Sequence, residues 1–320
     1  MGNQTSQSEF ILLGFSDFTD SQIPVFLLIF LIYVPTLACN LLIISLVVSD
    51  SHLHTPMYFF LGNISLLDIF IASVSASHLY RSIFTGNRLI LYSSCIAQVF
   101  FFSWFFITEA FLLAVMSYDR YVAICHPLHY TTMISVHLCV QLASSVWIIS
   151  SLCSLVHTLC TLRLVFCGRT TIPGLLCELY QLFQLSCSDT YLNYFLLRFQ
   201  AGVFGVSACA ITFISYFHVF KTILRIRLKG GRWKAFSTCS SHLTVVSVFY
   251  VTSIFNYFYV STTAFPASRL LSVGYAVFTP FLNPLIYSLR NRELKSALHR
   301  TLVKAGFISS WFMTREELQS

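Results

Sequence analysis

Long stretches of this chain carry no charge, and that absence narrows its fold more than any other feature. No Asp, Glu, Lys or Arg occurs at 21–49, 121–162, 199–220, 235–268 or 270–289, and single acids, Asp68 and Glu109, interrupt two further apolar stretches at 57–80 and 89–118. A helix crossing a bilayer needs about 20 mostly apolar residues. Each stretch supplies one such helix, with the excess length of the second and fourth gaps left as loop. With 10% charged residues and 56% apolar ones, against about a quarter charged in a soluble domain, a soluble globular protein is excluded. The spacing predicts an all-α membrane protein: a seven-transmembrane helix bundle over 23–290, between an N-terminal tail (1–22) and a C-terminal tail (291–320). No basic region and cleavage site precede the first span, so that helix is expected to act as an uncleaved anchor.

Basic loops are retained in the cytoplasm, and 13 of the 19 Lys and Arg residues fall on one side: Arg120, six between spans five and six (221–234) and six after span seven (290–315). The N-terminus is therefore expected outside and the C-terminus inside. The net charge of +7 reads as an orientation signal and an attraction to anionic lipid. No basic-aromatic module accompanies it, so no nucleic-acid partner is expected.

An outside N-terminus exposes Asn3 of the sequon Asn3-Gln4-Thr5 to glycosylation, whereas Asn63 of a second sequon lies in span two and should stay bare. Of 11 cysteines, Cys95, Cys167, Cys177 and Cys187 lie on the oxidising side. Four cysteines allow three pairings, and spacing leaves all three open. The other seven read as small buried apolar residues.

Asp68 and Glu109 stand at membrane depth with no intramembrane Lys or Arg to pair with, so a shared sodium ion or proton is the natural neutraliser. Asp119-Arg120-Tyr121 ends span three, where a carboxylate can hold a guanidinium until another partner takes it. In span seven, Pro280 and Pro284 (within Asn283-Pro284-Leu285-Ile286-Tyr287) each remove a backbone donor and free a carbonyl that neighbours must satisfy. Cys239 and His242 share a helix face at metal-ligand spacing but supply only two ligands. No nucleophile elbow, phosphate loop or zinc-hydrolase motif is present, so no enzyme is expected. Neither a membrane repeat nor a polar line across the bilayer supports a transporter or channel.

Five strings together resemble the vertebrate olfactory receptor family of rhodopsin-like G-protein-coupled receptors: EFILLGF at 9–15, LHTPMYFFL at 53–61, MSYDRYVAICHPLHY at 116–130, KAFSTCSSHL at 234–243 and NPLIYSLRN at 283–291. The resemblance implies bonds between Cys95 and Cys177 and between Cys167 and Cys187, and a cation site at Asp68 and Glu109. It also implies a switch in which Asp119, Arg120, Tyr121, Asn283, Pro284 and Tyr287 rearrange to admit a G protein. The usual Gly-Asn of span one is here Cys39-Asn40, which keeps the asparagine.

The same resemblance implies a multi-pass receptor in the plasma membrane of olfactory sensory neurons, binding small-molecule odorants and activating a stimulatory, olfactory-type heterotrimeric G protein to raise cyclic AMP. It needs no cofactor beyond a bound sodium ion. Lining positions are expected at Phe102, Ser103, Phe106, Gln200, Phe204, Tyr250, Ser253, Ile254, Tyr257 and Ala276. These are aromatic or aliphatic with a few hydroxyls and one amide, as suits a small uncharged apolar molecule. A charged ligand would have to reach Glu178 or Arg269.

Overall fold

The computed structural model describes residues 9–13, 22–85, 87–168, 171–172, 176–226, 229–259 and 274–304. Seven helices occupy the expected spans among them, the first five long and apolar enough to cross a membrane: α1 (Gln22–Ser49), α2 (Pro56–Thr85), α3 (Tyr92–Cys125), α4 (Val136–Leu162), α5 (Tyr191–Arg225), α6 (Lys229–Tyr259) and α7 (Thr279–Arg290). A π-turn at Ala201–Gly205 interrupts α5, and another at Gly274–Phe278 leads into α7. The bundle is centred on α2 and α3. In their apolar windows 56% and 50% of residues are buried, against 28%, 22% and 28% in α1, α4 and α5, whose remaining side chains face outward as a lipid-facing surface requires.

Charge gaps locate the spans but misplace several ends. Helix α3 continues to Cys125 instead of stopping at 118, because Asp119 and Arg120 bond each other and leave no lone charge to end it. Helix α5 begins at Tyr191 instead of 199 and runs to Arg225 instead of 220; Arg198 lies 5.9 Å from the Tyr194 ring centroid, where a cation is attracted to the ring face. Helix α6 starts at Lys229, inside the basic segment. In α4 the Ser135 hydroxyl accepts from the Leu138 amide at 3.2 Å, a cap that explains why the helix begins so far into its gap.

Two segments read as tails contain ordered structure. Strand β1 (Glu9–Leu12) pairs antiparallel with β2 (Leu89–Leu91), Phe10 opposite Ile90, and parallel with β3 (Thr171–Ile172), Ile11 opposite Thr171. Its alternation turns Phe10 and Leu12 inward onto an apolar cluster with Ile96, Val99, Phe166 and Leu182. At the other end of the bundle α8 (Arg292–Lys304) buries Leu294 and Ala297. The Asn291 side chain caps it by accepting from the Glu293 and Leu294 amides, and Arg300 pairs with Asp50 at 2.8 Å. These two extremities are called the disulfide end and the basic end below.

Candidate ligand pocket and activation switch

At the disulfide end Cys95 of α3 is bonded to Cys177, and Cys167 to Cys187. Gln98, one turn along α3, donates to Val74 O of α2 and accepts from the Cys177 amide at 2.9 Å, so the long loop is held to both central helices. Asn3 lies outside the described residues, as do Arg269 and the side chain of Tyr257.

The expected lining positions divide into two groups. Phe106 of α3 stacks on Phe249 of α6 with centroids 5.3 Å apart, and Phe249 meets Tyr250 edge-on at 5.5 Å. The Tyr250 hydroxyl lies 3.4 Å from Thr212 Oγ1 of α5, which accepts at 3.5 Å from Ser117 of α3. Phe204 meets Phe111 edge-on at 5.7 Å. With Phe102 and Ser103 on the same helix as Phe106, these residues bring α3, α5 and α6 together around one region.

Three positions fall elsewhere, while Ser253 stays on the Phe249–Tyr250 face of α6. Gln200 accepts at its side-chain oxygen from His157 Nε2 of α4, on the α4–α5 seam. Ser253 donates to Phe249 O of its own helix at 2.6 Å. Ile254 shares the exposed stripe of α6 with Ser247 and Val251, a spacing that puts all three on one helix face. Ala276 lies in a separate cavity between α1, α2 and α7.

Deeper in the bundle the Asn283 amide donates to Asp68 Oδ1 at 3.0 Å and to Glu109 Oε1 at 3.3 Å, joining three helices through two buried carboxyl groups. Asp68 Oδ2 is buried and accepts no hydrogen bond among the described residues. Two carboxyls sharing one donor in a low-dielectric core need a cation or a proton to balance them, and this donor set fits either one. Among the described residues no cluster of three His, Cys, Asp or Glu ligands occurs. His242 Nδ1 is instead 2.6 Å from the Tyr216 hydroxyl, so the Cys239–His242 spacing serves packing.

The carbonyl freed by Pro284 belongs to Pro280, and Asn40 Nδ2 donates to it at 3.2 Å. This explains the use of an asparagine in α1: an unpaired buried carbonyl is costly, and here another helix satisfies it.

At the basic end Arg120 Nε donates to Asp119 Oδ2 at 3.0 Å, with a second, shorter bond from its terminal nitrogen. The Tyr130 hydroxyl donates to Asp119 Oδ1 at 2.7 Å. Burial, and then the Asp119 carboxylate beside it, push the Tyr130 hydroxyl well above the usual phenol range, so it stays a donor. Sequence reading missed this bond, although Tyr130 closes the same 116–130 string. Tyr121 turns away from the pair, its hydroxyl 3.1 Å from His126 Nε2. Tyr58 of α2 donates to Asn291 Oδ1 at 3.1 Å. Tyr287 is fully buried, and its hydroxyl has no hydrogen-bond partner among the described residues.

Comparison with known proteins identifies the family and the fold. The profile of the olfactory receptor family matches residues 28–305. Olfactory receptor 7C1 of Homo sapiens is 46% identical over 311 residues, covering 96% of this chain and 97% of its own length. Olfactory receptor 1G1 of Gorilla gorilla gorilla is 47% identical over 301 residues, covering 94% and 96%. The crystal structure of squid rhodopsin superposes with a TM-score of 0.67 at 18% identity, covering 91% of this chain and 87% of that one, a likeness of fold. On the extent of these matches, the chain belongs to the olfactory receptor family.

Proposed function

We propose that this receptor takes a small, uncharged, mainly apolar odorant between α3, α5 and α6 toward the disulfide end. It answers by freeing Arg120 for a stimulatory, olfactory-type G protein that raises cyclic AMP. The observation that carries this reading is the unbroken line Phe106, Phe249, Tyr250, Thr212, Ser117, which ends on α3 within one turn of Arg120. A ligand against Phe106 or Tyr250 bears directly on that line. Phe102, Ser103 and Phe204 complete the lining. The work done is a population shift, for which a few kcal/mol of differential affinity suffices.

In the resting arrangement Asp119 holds Arg120 and Tyr130 together, and the Tyr287 hydroxyl has no partner among the described residues. Leaving a buried hydroxyl unpaired costs about 1–3 kcal/mol, so an arrangement in which Tyr287 finds a partner is favoured by that amount once Arg120 lets go. Asp68 and Glu109, bridged by Asn283, hold a sodium ion or a shared proton in the resting state. The disulfide end faces outward with Asn3 glycosylated, and the basic end faces the cytoplasm. The functional units are 1–22, 23–290 and 291–320, in the plasma membrane of olfactory sensory neurons.

The test is a cyclic AMP readout in cells expressing the chain with an olfactory-type G protein, challenged with a panel of small volatile and water-borne odorants. A dose-dependent rise that Phe106→Ala and Tyr250→Ala both abolish is expected. Responses untouched by both substitutions would reject this pocket, and silence across the panel with confirmed surface receptor would reject the ligand class or the G protein.

A further inference from the structure

Asp50, between the end of α1 and the turn that leads to α2, gathers basic side chains from two elements. Its Oδ1 accepts from the His52 amide at 3.0 Å and lies 2.9 Å from His52 Nδ1. Its Oδ2 accepts from Arg300 of α8 through Nε at 2.9 Å and through a terminal nitrogen at 2.8 Å. Only 10% of the Asp50 side chain is open to solvent, against 70% for His52 and 38% for Arg300. One enclosed anion thus fixes an imidazole and a guanidinium by their inner edges and leaves their outer edges exposed. Lys304, exposed and four residues beyond Arg300, falls on the same stripe of α8. The acid of that stripe, Glu293, lies about 10 Å back along the helix. Apolar surface leads up to the group from the bilayer: Leu41 and Val48 of α1, seven residues apart on one face, are both exposed, and Val48 is two residues from Asp50.

We propose that His52, Arg300 and Lys304 form a site for the phosphate monoester headgroup of a membrane lipid whose acyl chains lie along the Leu41–Val48 stripe. A phosphate monoester carries nearly two negative charges and three acceptor oxygens, enough to bond all three side chains at once. A phosphodiester, with one charge, satisfies fewer of them. Asp50 repels the phosphate, but its charge is already answered by the two partners it holds. The headgroup level is right, because α1 and α7 both end here and a basic helix follows at once, the arrangement that attracts anionic lipid. An occupant ties α8 to α1. Under the proposed function this end faces the cytoplasm, so the inner leaflet supplies the lipid; binding itself depends on neither sidedness, odorant nor G protein.

The experiment titrates full-length receptor in neutral detergent with dioctanoyl phosphatidylinositol 4-phosphate, reading occupancy by native mass spectrometry and stability by thermal melting. One saturable lipid is expected, and it raises the melting temperature as its concentration rises. Dioctanoyl phosphatidylinositol, which lacks the monoester, binds about tenfold more weakly, and equal binding would overturn the monoester as the ligand. Arg300→Gln and Lys304→Gln each weaken binding about tenfold, the loss of one charge-assisted hydrogen bond. Lys304 is exposed, so its variant decides the matter if Arg300→Gln loosens α8. Asp50→Asn makes this end more positive and still weakens binding, because His52 and Arg300 lose the group that orients them. Tighter binding in Asp50→Asn, or an equal loss from Arg225→Gln on α5, would reduce the attraction to net charge and overturn the site. Inositol 1,4-bisphosphate, the same headgroup without chains, binds about tenfold more weakly than the lipid; equal affinity would make the ligand a dissolved phosphate and overturn the membrane as its source.

Discussion

The two ends of the bundle are closed by different chemistry. At the disulfide end the closure is covalent and apolar: Cys95 to Cys177, Cys167 to Cys187, and a three-stranded sheet that buries Phe10 and Leu12. At the basic end it consists of polar bonds between side chains that can each find other partners: Asp119 with Arg120 and Tyr130, Asp50 with Arg300, Tyr58 with Asn291. A disulfide holds one partner, whereas an arginine exchanges one acceptor for another at small net cost. The difference teaches where movement is built in. The disulfide end is stapled and the basic end is latched, which under the proposed function keeps the ligand end constant and lets the G-protein end open.

Breaking the latch by removing its mobile half gives the largest expected effect. Arg120→Ala should abolish G-protein activation while surface receptor stays measurable by antibody staining, and preserved signalling would refute its switch role. Breaking the staple acts on a different quantity. Cys95→Ser should lower the amount of folded surface receptor, since a loop-closing disulfide contributes about 2–5 kcal/mol. Normal surface levels would show that the sheet and the Phe10 cluster hold this end unaided. If the two ends divide the work as described, the first substitution spares abundance and the second spares signalling per surface receptor.

Tyr130→Phe sharpens the contrast more gently. It deletes one hydrogen bond to a carboxylate, of about 1.5–3 kcal/mol, and leaves the Asp119–Arg120 pair in place. Ligand-free cyclic AMP should rise several-fold while surface receptor is unchanged. Unaltered basal signalling would mean that Arg120 alone sets the latch.

How much of this was legible in the sequence differs between the same two regions. Charge gaps locate the spans because burying a charge in lipid is expensive, and the 116–130 and 283–291 strings mark the basic end. The bond from Tyr130 to Asp119 was not legible because a turn at Pro127–His129 folds the chain back between them. Strand β1 was hidden because four alternating residues carry little signal until β2 and β3, distant in sequence, pair with them. Helix α8 was masked by its own charges, although Leu294, Ala297 and Leu298 keep helical spacing on one face. Among the lining positions, Ile254 could have been set aside from the sequence, since helical spacing groups it with Ser247 and Val251. Gln200 could not, because only the packing of α4 against α5 shows that its amide meets His157.

The smallest expected effect tests the attachment of α8. Burial raises the Asp50 carboxyl, but hydrogen bonds from Arg300 and His52 outweigh it and bring it down to about 2 from an ordinary 3.8. A carboxyl depressed in the folded state stabilises that state above its unfolded value, and the contribution is lost as pH falls from 3.8 through about 2. Arg300 is partly exposed, with 38% of its side chain open to solvent, so screening keeps the contribution small. Asp50→Asn should therefore lower the melting temperature of detergent-solubilised receptor slightly at pH 4 and above, and the difference should close as pH falls toward about 2. The substitution should thereby flatten the part of the acid-induced decline that falls between about 4 and 2. A variant whose melting temperature falls as steeply as that of the unsubstituted receptor over that interval would show that α8 is held by Leu294 and Ala297 alone. The basic end would then rest on apolar packing at its rim, and the division between stapled and latched ends would hold only for the Asp119 cluster at its centre.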